Sequence, residues 1–128
     1  MSESEHSPCV QPGKFSWNEL VTTDVESASA FYTNLFGWST VPFGQHYILF
    51  NNGDQSVAGL MKSPQPGRPA QWIAYVSVED VDASVAKALD LGGRIVVPPM
   101  DIPEVGRIAV AQDPQEALIG LFRPLPMR

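Results

Sequence analysis

Glu19 is the residue best placed to do chemistry. It follows Trp17 by two positions in an extended, strand-forming run, so alternation sets Phe15, Trp17 and Glu19 on one face. A carboxylate among aromatic rings is desolvated, which raises its pKa and suits it to act as a base or to hydrogen-bond a ligand. The competing reading is structural, a glutamate satisfied by backbone amides or by an arginine such as Arg107. A later strand sets Gln71, Ile73 and Tyr75 on one face, which makes Tyr75 a candidate assistant to Glu19. Arg107 follows Gly106 near Asp101 and Glu104. It either closes a loop by an ion pair or reaches an anionic group on a ligand. Other nucleophiles and metal donors are sparse. His6 and Cys9 stand in a polar N-terminal stretch and His46 precedes a strand. A single cysteine allows neither an intrachain disulfide nor a thiolate zinc cluster.

Hydrophobic periodicity assigns the elements that must position these groups. Residues 15–21 are extended, and Thr23 or Asp24 offers a helix N-cap. Ala28, Phe31, Tyr32 and Leu35 then recur at helical spacing as one apolar face, and Gly37 stops the helix. Residues 38–42, 47–51 and 56–61 read as three short strands. The same order follows again: a strand over 72–78, then a helix capped by Asp80 that presents Val81, Val85 and Leu89 on one face. Gly92-Gly93 ends that helix, and strands over 94–97, 107–112 and 117–122 complete the series. Residues 98–105, with Pro98 and Pro99 adjacent and no clear period, read as a rim or lid loop.

The recurrence extends to residues. Thr23 to Ala30 aligns with Glu79 to Ala86, Leu35 with Leu91, and Gly37 with Gly93. Gly59-Leu60-Met61-Lys62 aligns with Gly120-Leu121-Phe122-Arg123. Three matches in order predict an internal duplication. The expected organisation is a flexible tail over 1–12 and a single domain over 13–128. Within that domain, repeat one covers 13–63, a linker 64–70 and repeat two 71–124.

With 44% hydrophobic and 17% charged residues, the 128-residue chain has a globular balance. A net charge of −6 with scattered Lys and Arg leaves no basic footprint for nucleic acid or for an anionic membrane. No apolar run approaches the roughly 20 residues of a membrane helix. The polar N-terminus lacks a signal-peptide stretch, so the expected location is cytoplasmic.

The quoted matches, with Trp17-Asn18-Glu19-Leu20, Leu35-Phe36-Gly37-Trp38, Asp101-Ile102-Pro103, Gly106-Arg107 and Asp113-Pro114, resemble the vicinal-oxygen-chelate superfamily of glyoxalases, bleomycin-resistance proteins and extradiol dioxygenases. The branch they resemble is glyoxalase-like or hydroxylase-like. The resemblance spans residues 13–124. It implies an α+β fold in which two βαβββ repeats form a cupped, partly closed mixed barrel with helices outside. It also implies a divalent ion held by His, Glu or Gln on the first and last strands of each repeat. Carried onto this chain, those positions fall at Trp17, Gly59, Ile73 and Gly120, none of which offers a side-chain donor for such an ion. The expectation is therefore no metal and no cofactor.

In place of the chelate, the implied cup is lined by Trp17, Glu19, Met61, Ile73, Tyr75 and Phe122, with room left by Gly59 and Gly120. Arg107 stands as a further ligand contact. Leu20, Leu60, Val76 and Leu121 point the other way, under the helices. Trp17 and Trp72 are either packing residues or stacking platforms, and Trp38 and Tyr32 belong to the core or to a dimer interface. Three functions remain open. The first is a metal-free protein that binds a hydrophobic or aromatic small molecule. The second is a glyoxalase-like lyase or isomerase acting through Glu19 and Tyr75, or through an atypically bound metal. The third is a partner protein in which a homodimer surface matters more than the cup.

Overall fold

The computed structural model describes residues 11–44, 46–63 and 67–125. His6, Cys9, most of the expected tail, and Pro64 to Pro66 of the expected linker lie outside the described residues. The described residues form two compact units. One runs from Trp17 to Ile73; the other joins the segment before Trp17 to the segment from Ala74 onward.

The elements run β1 (Phe15–Thr22), α1 (Val25–Phe36), β2 (Ser39–Pro42), β3 (Ile48–Asn52) and β4 (Gln55–Lys62), then β5 (Gln71–Ser77), α2 (Val81–Asp90), β6 (Arg94–Ile102), β7 (Gly106–Gln112) and β8 (Leu118–Pro124). Both helices start as expected. Asp24 accepts from the Ser27 backbone N–H at 3.0 Å, and Asp80 accepts from that of Ala83 at 3.0 Å. Gly37, at φ 74°, ends α1.

In the first unit the strands pair in the order β2-β3-β4-β1, with β1 and β4 parallel and the other pairs antiparallel. In the second the order is β5-β8-β7-β6, with β5 and β8 parallel. The fold is therefore α+β with mixed pairing, but each four-stranded sheet is open. In neither unit does the strand order return on itself, which corrects the expected partly closed barrel.

The first core is Leu20, Phe50, Ala58 and Leu60, covered by Val25, Ala28 and Tyr32 of α1 and by Trp38. Leu20 and Leu60 thus lie under the helix, where alternation set them. The helix face itself is shifted from the expectation. Phe31 and Leu35 are 59% and 56% exposed, because the row facing the sheet is Val25, Ala28 and Tyr32. Tyr32 meets Phe50 and Trp72 edge-on at 6.1 and 5.3 Å, and the Trp72 indole N–H donates to its hydroxyl. In the second unit α2 lies against β6, β7 and β8, with Val81 buried and Leu89 over half exposed.

Residues 98–105 also differ from their reading as a loop. β6 continues through Pro98 and Pro99 to Ile102, slipping register against β7 between Ile95 and Val97 and again between Val97 and Met100. Proline lacks a ladder donor, so a strand tolerates it at the end of the pairing order and at bulges, as here. Only the turn after Ile102 remains, tied by the Val105 N–H to the Ile102 carbonyl at 3.0 Å.

Candidate functional site

In the first unit the parallel register of β1 and β4 sets Glu19 beside Gly59, and the antiparallel register of β3 sets Leu49 on the other side of Gly59. Tyr47 stands two residues before Leu49, hence on the same face, and its ring folds back over Gly59. A Cβ at Gly59 would collide with the phenol. The room that two glycines were expected to leave is, at Gly59, filled by a side chain.

Tyr47 then joins the two strand-β1 residues into one chain of hydrogen bonds. The Trp17 indole N–H donates to the Tyr47 hydroxyl at 2.9 Å, and that hydroxyl donates to Glu19 Oε1 at 3.0 Å. Glu19 is buried. Burial first, and the negative charge of Glu19 second, push the Tyr47 phenol well above its ordinary value of 10.0. The phenol therefore keeps its proton at neutral pH and serves as a donor to the carboxylate. The Trp17 donor is committed to this chain rather than pointing free into a cup.

Beside Tyr47 opens a cleft of about 580 Å³, lined among others by Val25, His46, Ile48, Met61 and Lys62. Small-molecule clefts span roughly 300–1,000 Å³ with mostly apolar walls and few polar groups, and this one fits both criteria. Met61 lines this cleft, while Ile73 is buried. Tyr47 was read from the sequence only as the first residue of a strand. The available signal was Gly59, since a glycine inside a strand often marks the close approach of another group.

In the second unit a related arrangement stands over Gly120. Tyr75, opposite Gly120 in the β5–β8 register, lies over it and is 2% exposed. Phe122 meets its ring edge-on at 6.5 Å. Tyr75 and Phe122 are together; Glu19 and Tyr75 lie one in each unit.

Arg107 makes a structural clamp. Its Nε and Nη2 donate to the two carboxylate oxygens of Asp82 at 2.9 and 3.0 Å, and its Nη1 donates to Asp101 at 2.9 Å. Asp101 was an expected partner; Asp82, in the first turn of α2, was not. The hydrogen bonds from Arg107 hold the Asp82 carboxyl below its ordinary 3.8. A depressed carboxylate contributes stability above its unfolded value and loses it as pH falls through the folded one. Urea unfolding below pH 4 should therefore show a steeper acid loss in the wild type than in Arg107→Gln. The effect will be small, because the pair is solvent-exposed. Equal acid slopes would show that the clamp contributes nothing.

The donor set does not fit the ion that the family resemblance implies. Trp17 offers an N–H donor already used, Ile73 an alkyl group, and both glycines are roofed by tyrosine rings. Among the described residues no three His, Cys, Asp or Glu side chains cluster as a metal would need. Nor, among those residues, is any helix long and apolar enough to cross a membrane.

Comparison with known proteins agrees with this geometry at the level of fold and family. The sequence profile of the Glyoxalase/Bleomycin resistance protein/Dioxygenase superfamily matches residues 14–121. The protein CFP32 of Mycobacterium tuberculosis (strain CDC 1551 / Oshkosh), whose name describes a glyoxylase, is 40% identical over 122 residues, covering 92% of this chain and 47% of its own. The anthracycline biosynthesis protein DnrV of Streptomyces peucetius is 31% identical over 130 residues, covering 88% and 47%. The chain thus spans about half the length of these relatives. In fold it is similar to methylmalonyl-CoA epimerase from Mycobacterium tuberculosis, with TM-score 0.62 and 18% identity over 94% of this chain and 93% of that one.

Proposed function

Because the chain belongs to the glyoxalase/bleomycin resistance protein/dioxygenase superfamily, we propose that it binds an apolar or aromatic small molecule in the cleft beside Tyr47, without a chelated metal. The observation that carries this reading is the Trp17–Tyr47–Glu19 chain. It fills the ground around Gly59 with a hydrogen-bonded indole, phenol and carboxylate, the phenol standing over the glycine, and the phenol forms one wall of the cleft. Val25, Ile48 and Met61 supply apolar surface for the ligand body.

A thermal-shift screen of aromatic compounds tests it, with Met61→Trp as the variant that fills the cleft. A ligand at 100 times its Kd stabilises the native state by about 2.7 kcal/mol, a rise of several degrees in Tm. Hits should raise the Tm of the wild type and not that of Met61→Trp. Hits that shift both proteins equally would remove the cleft from consideration, and a screen without hits would count against binding altogether.

The burial of Glu19 favours a second reading, a lyase or isomerase of glyoxalase type in which Glu19 is the acid/base group. It predicts turnover that Glu19→Gln abolishes while the variant stays folded. Measuring the metal content of protein purified without chelators would show whether an atypically bound ion takes part.

A further inference from the structure

The cleft beside Tyr47 runs against the charge of the chain. The sequence has 14 acidic residues and 8 Lys or Arg, for a net charge of −6. Yet among the described residues that line the cleft there is no carboxylate. Its charged or titratable groups are Lys62, His46 and the Tyr47 phenol, set against the aliphatic Val25, Ile48 and Met61.

Two carboxylates that interact with lining residues, Glu19 with Tyr47 and Asp24 with Lys62, are engaged elsewhere as well. Glu19 takes the Tyr47 proton donor at 3.0 Å. Asp24 accepts from the backbone N–H and the hydroxyl of Ser27 at 3.0 and 2.9 Å, which caps α1. Lys62 acts on Asp24 only weakly, well behind the Ser27 hydrogen bonds. Among the described residues no carboxylate lies within ion-pair distance of Lys62. An ammonium lining an apolar cleft, with no ion-paired carboxylate among the described residues, is a recognition group for an anion brought by a ligand.

Resting on the reading of this cleft as the small-molecule site, we infer that its ligand is an aryl or alkyl carboxylate. The hydrocarbon body lies against Val25, Ile48 and Met61, and the carboxylate meets Lys62, with His46 beside it. Tyr47 contributes its ring edge, since its hydroxyl proton is held by Glu19.

Calorimetric titration at low salt with 1-naphthoate and its neutral counterpart 1-naphthamide tests this. The proteins are the wild type, Lys62→Met, which keeps the stem and removes the charge, and Met61→Trp. Circular dichroism and Tm serve to check that each variant is folded. The expected result is naphthoate binding about fivefold to tenfold tighter than naphthamide in the wild type, as for one charge-assisted contact at a partly open site. That preference disappears in Lys62→Met, and both compounds lose affinity in Met61→Trp. Equal affinity for the two compounds, with both blocked by Met61→Trp, overturns the carboxylate inference and leaves the small-molecule reading standing. A preference that survives Lys62→Met also overturns it. Absence of binding at millimolar naphthoate, or binding indifferent to Met61→Trp, overturns the inference and takes the cleft reading with it.

Discussion

Gly120→Ala will destabilise the second unit by about 3–5 kcal/mol, the range of losing or displacing a buried aromatic side chain. Gly120 lies in β8 directly opposite Tyr75 of β5, and the Tyr75 ring rests on the space where a Cβ would be. The colliding atoms are the near side of the ring, including Cγ, so a turn about the last torsion does not relieve the contact. The ring is 2% exposed and flanked by Phe122, which leaves it no direction in which to retreat. Either the strands part or the ring leaves the core. Urea unfolding checks this, and a double-mutant cycle with Tyr75→Val sharpens it. With the ring gone the new methyl group has room, so the double variant should be more stable than the sum of the two single effects implies. Strict additivity would show that the ring is not what forbids a side chain at position 120.

Gly59→Ala should have the second-largest effect, about 2–3 kcal/mol, for a different reason. Here the collision is with the far end of the Tyr47 side chain, its hydroxyl, Cζ and Cε2. Tyr47 precedes β3 in a partly exposed segment, so it can swing away. Displacing it takes the acceptor from the Trp17 N–H and one donor from Glu19, at about 1–3 kcal/mol for a buried polar group deprived of its partner. In a Tyr47→Ala background the same glycine substitution should cost under about 1 kcal/mol, because nothing remains for the methyl group to strike.

Tyr47→Phe isolates the hydroxyl. The folded phenol holds its proton above the ordinary value of 10.0, so its contribution is present below that pH and is lost as pH rises, when the unfolded phenol ionises and the folded one does not. Stability of the wild type should fall above pH 10 more steeply than that of Tyr47→Phe. Parallel alkaline profiles would mean that the Trp17–Tyr47–Glu19 chain does not hold in solution.

Local signals located most of the elements. Asp24 and Asp80 cap their helices because a short carboxylate following an extended residue satisfies the first free N–H groups, an interaction complete within four residues. Strand alternation located Leu20 and Leu60 in the core, since a period of two needs no knowledge of what lies opposite. The periodicity of α1 was weaker guidance. A stripe of Ala28, Phe31, Tyr32 and Leu35 is wider than the single row that one sheet can cover, and the outer part, Phe31 and Leu35, stays in solvent.

The buried carboxylate Glu19 was visible in the sequence as a candidate, and so was the lack of side-chain metal donors at Trp17, Gly59, Ile73 and Gly120, because side-chain identity alone decides whether a position can bind an ion. Glu19's partner was not visible. Tyr47 reaches it across β4 and over a glycine, a contact set by sheet register between residues 28 positions apart. The same holds for Arg107, whose bidentate partner Asp82 is 25 residues away, and for β6, whose prolines read as a loop until β7 is present to pair with it. Sequence by itself determined which groups exist and which local elements carry them. Tertiary structure decided which groups meet, because pairing between distant strands depends on the register of the whole sheet and leaves no short-range pattern to read.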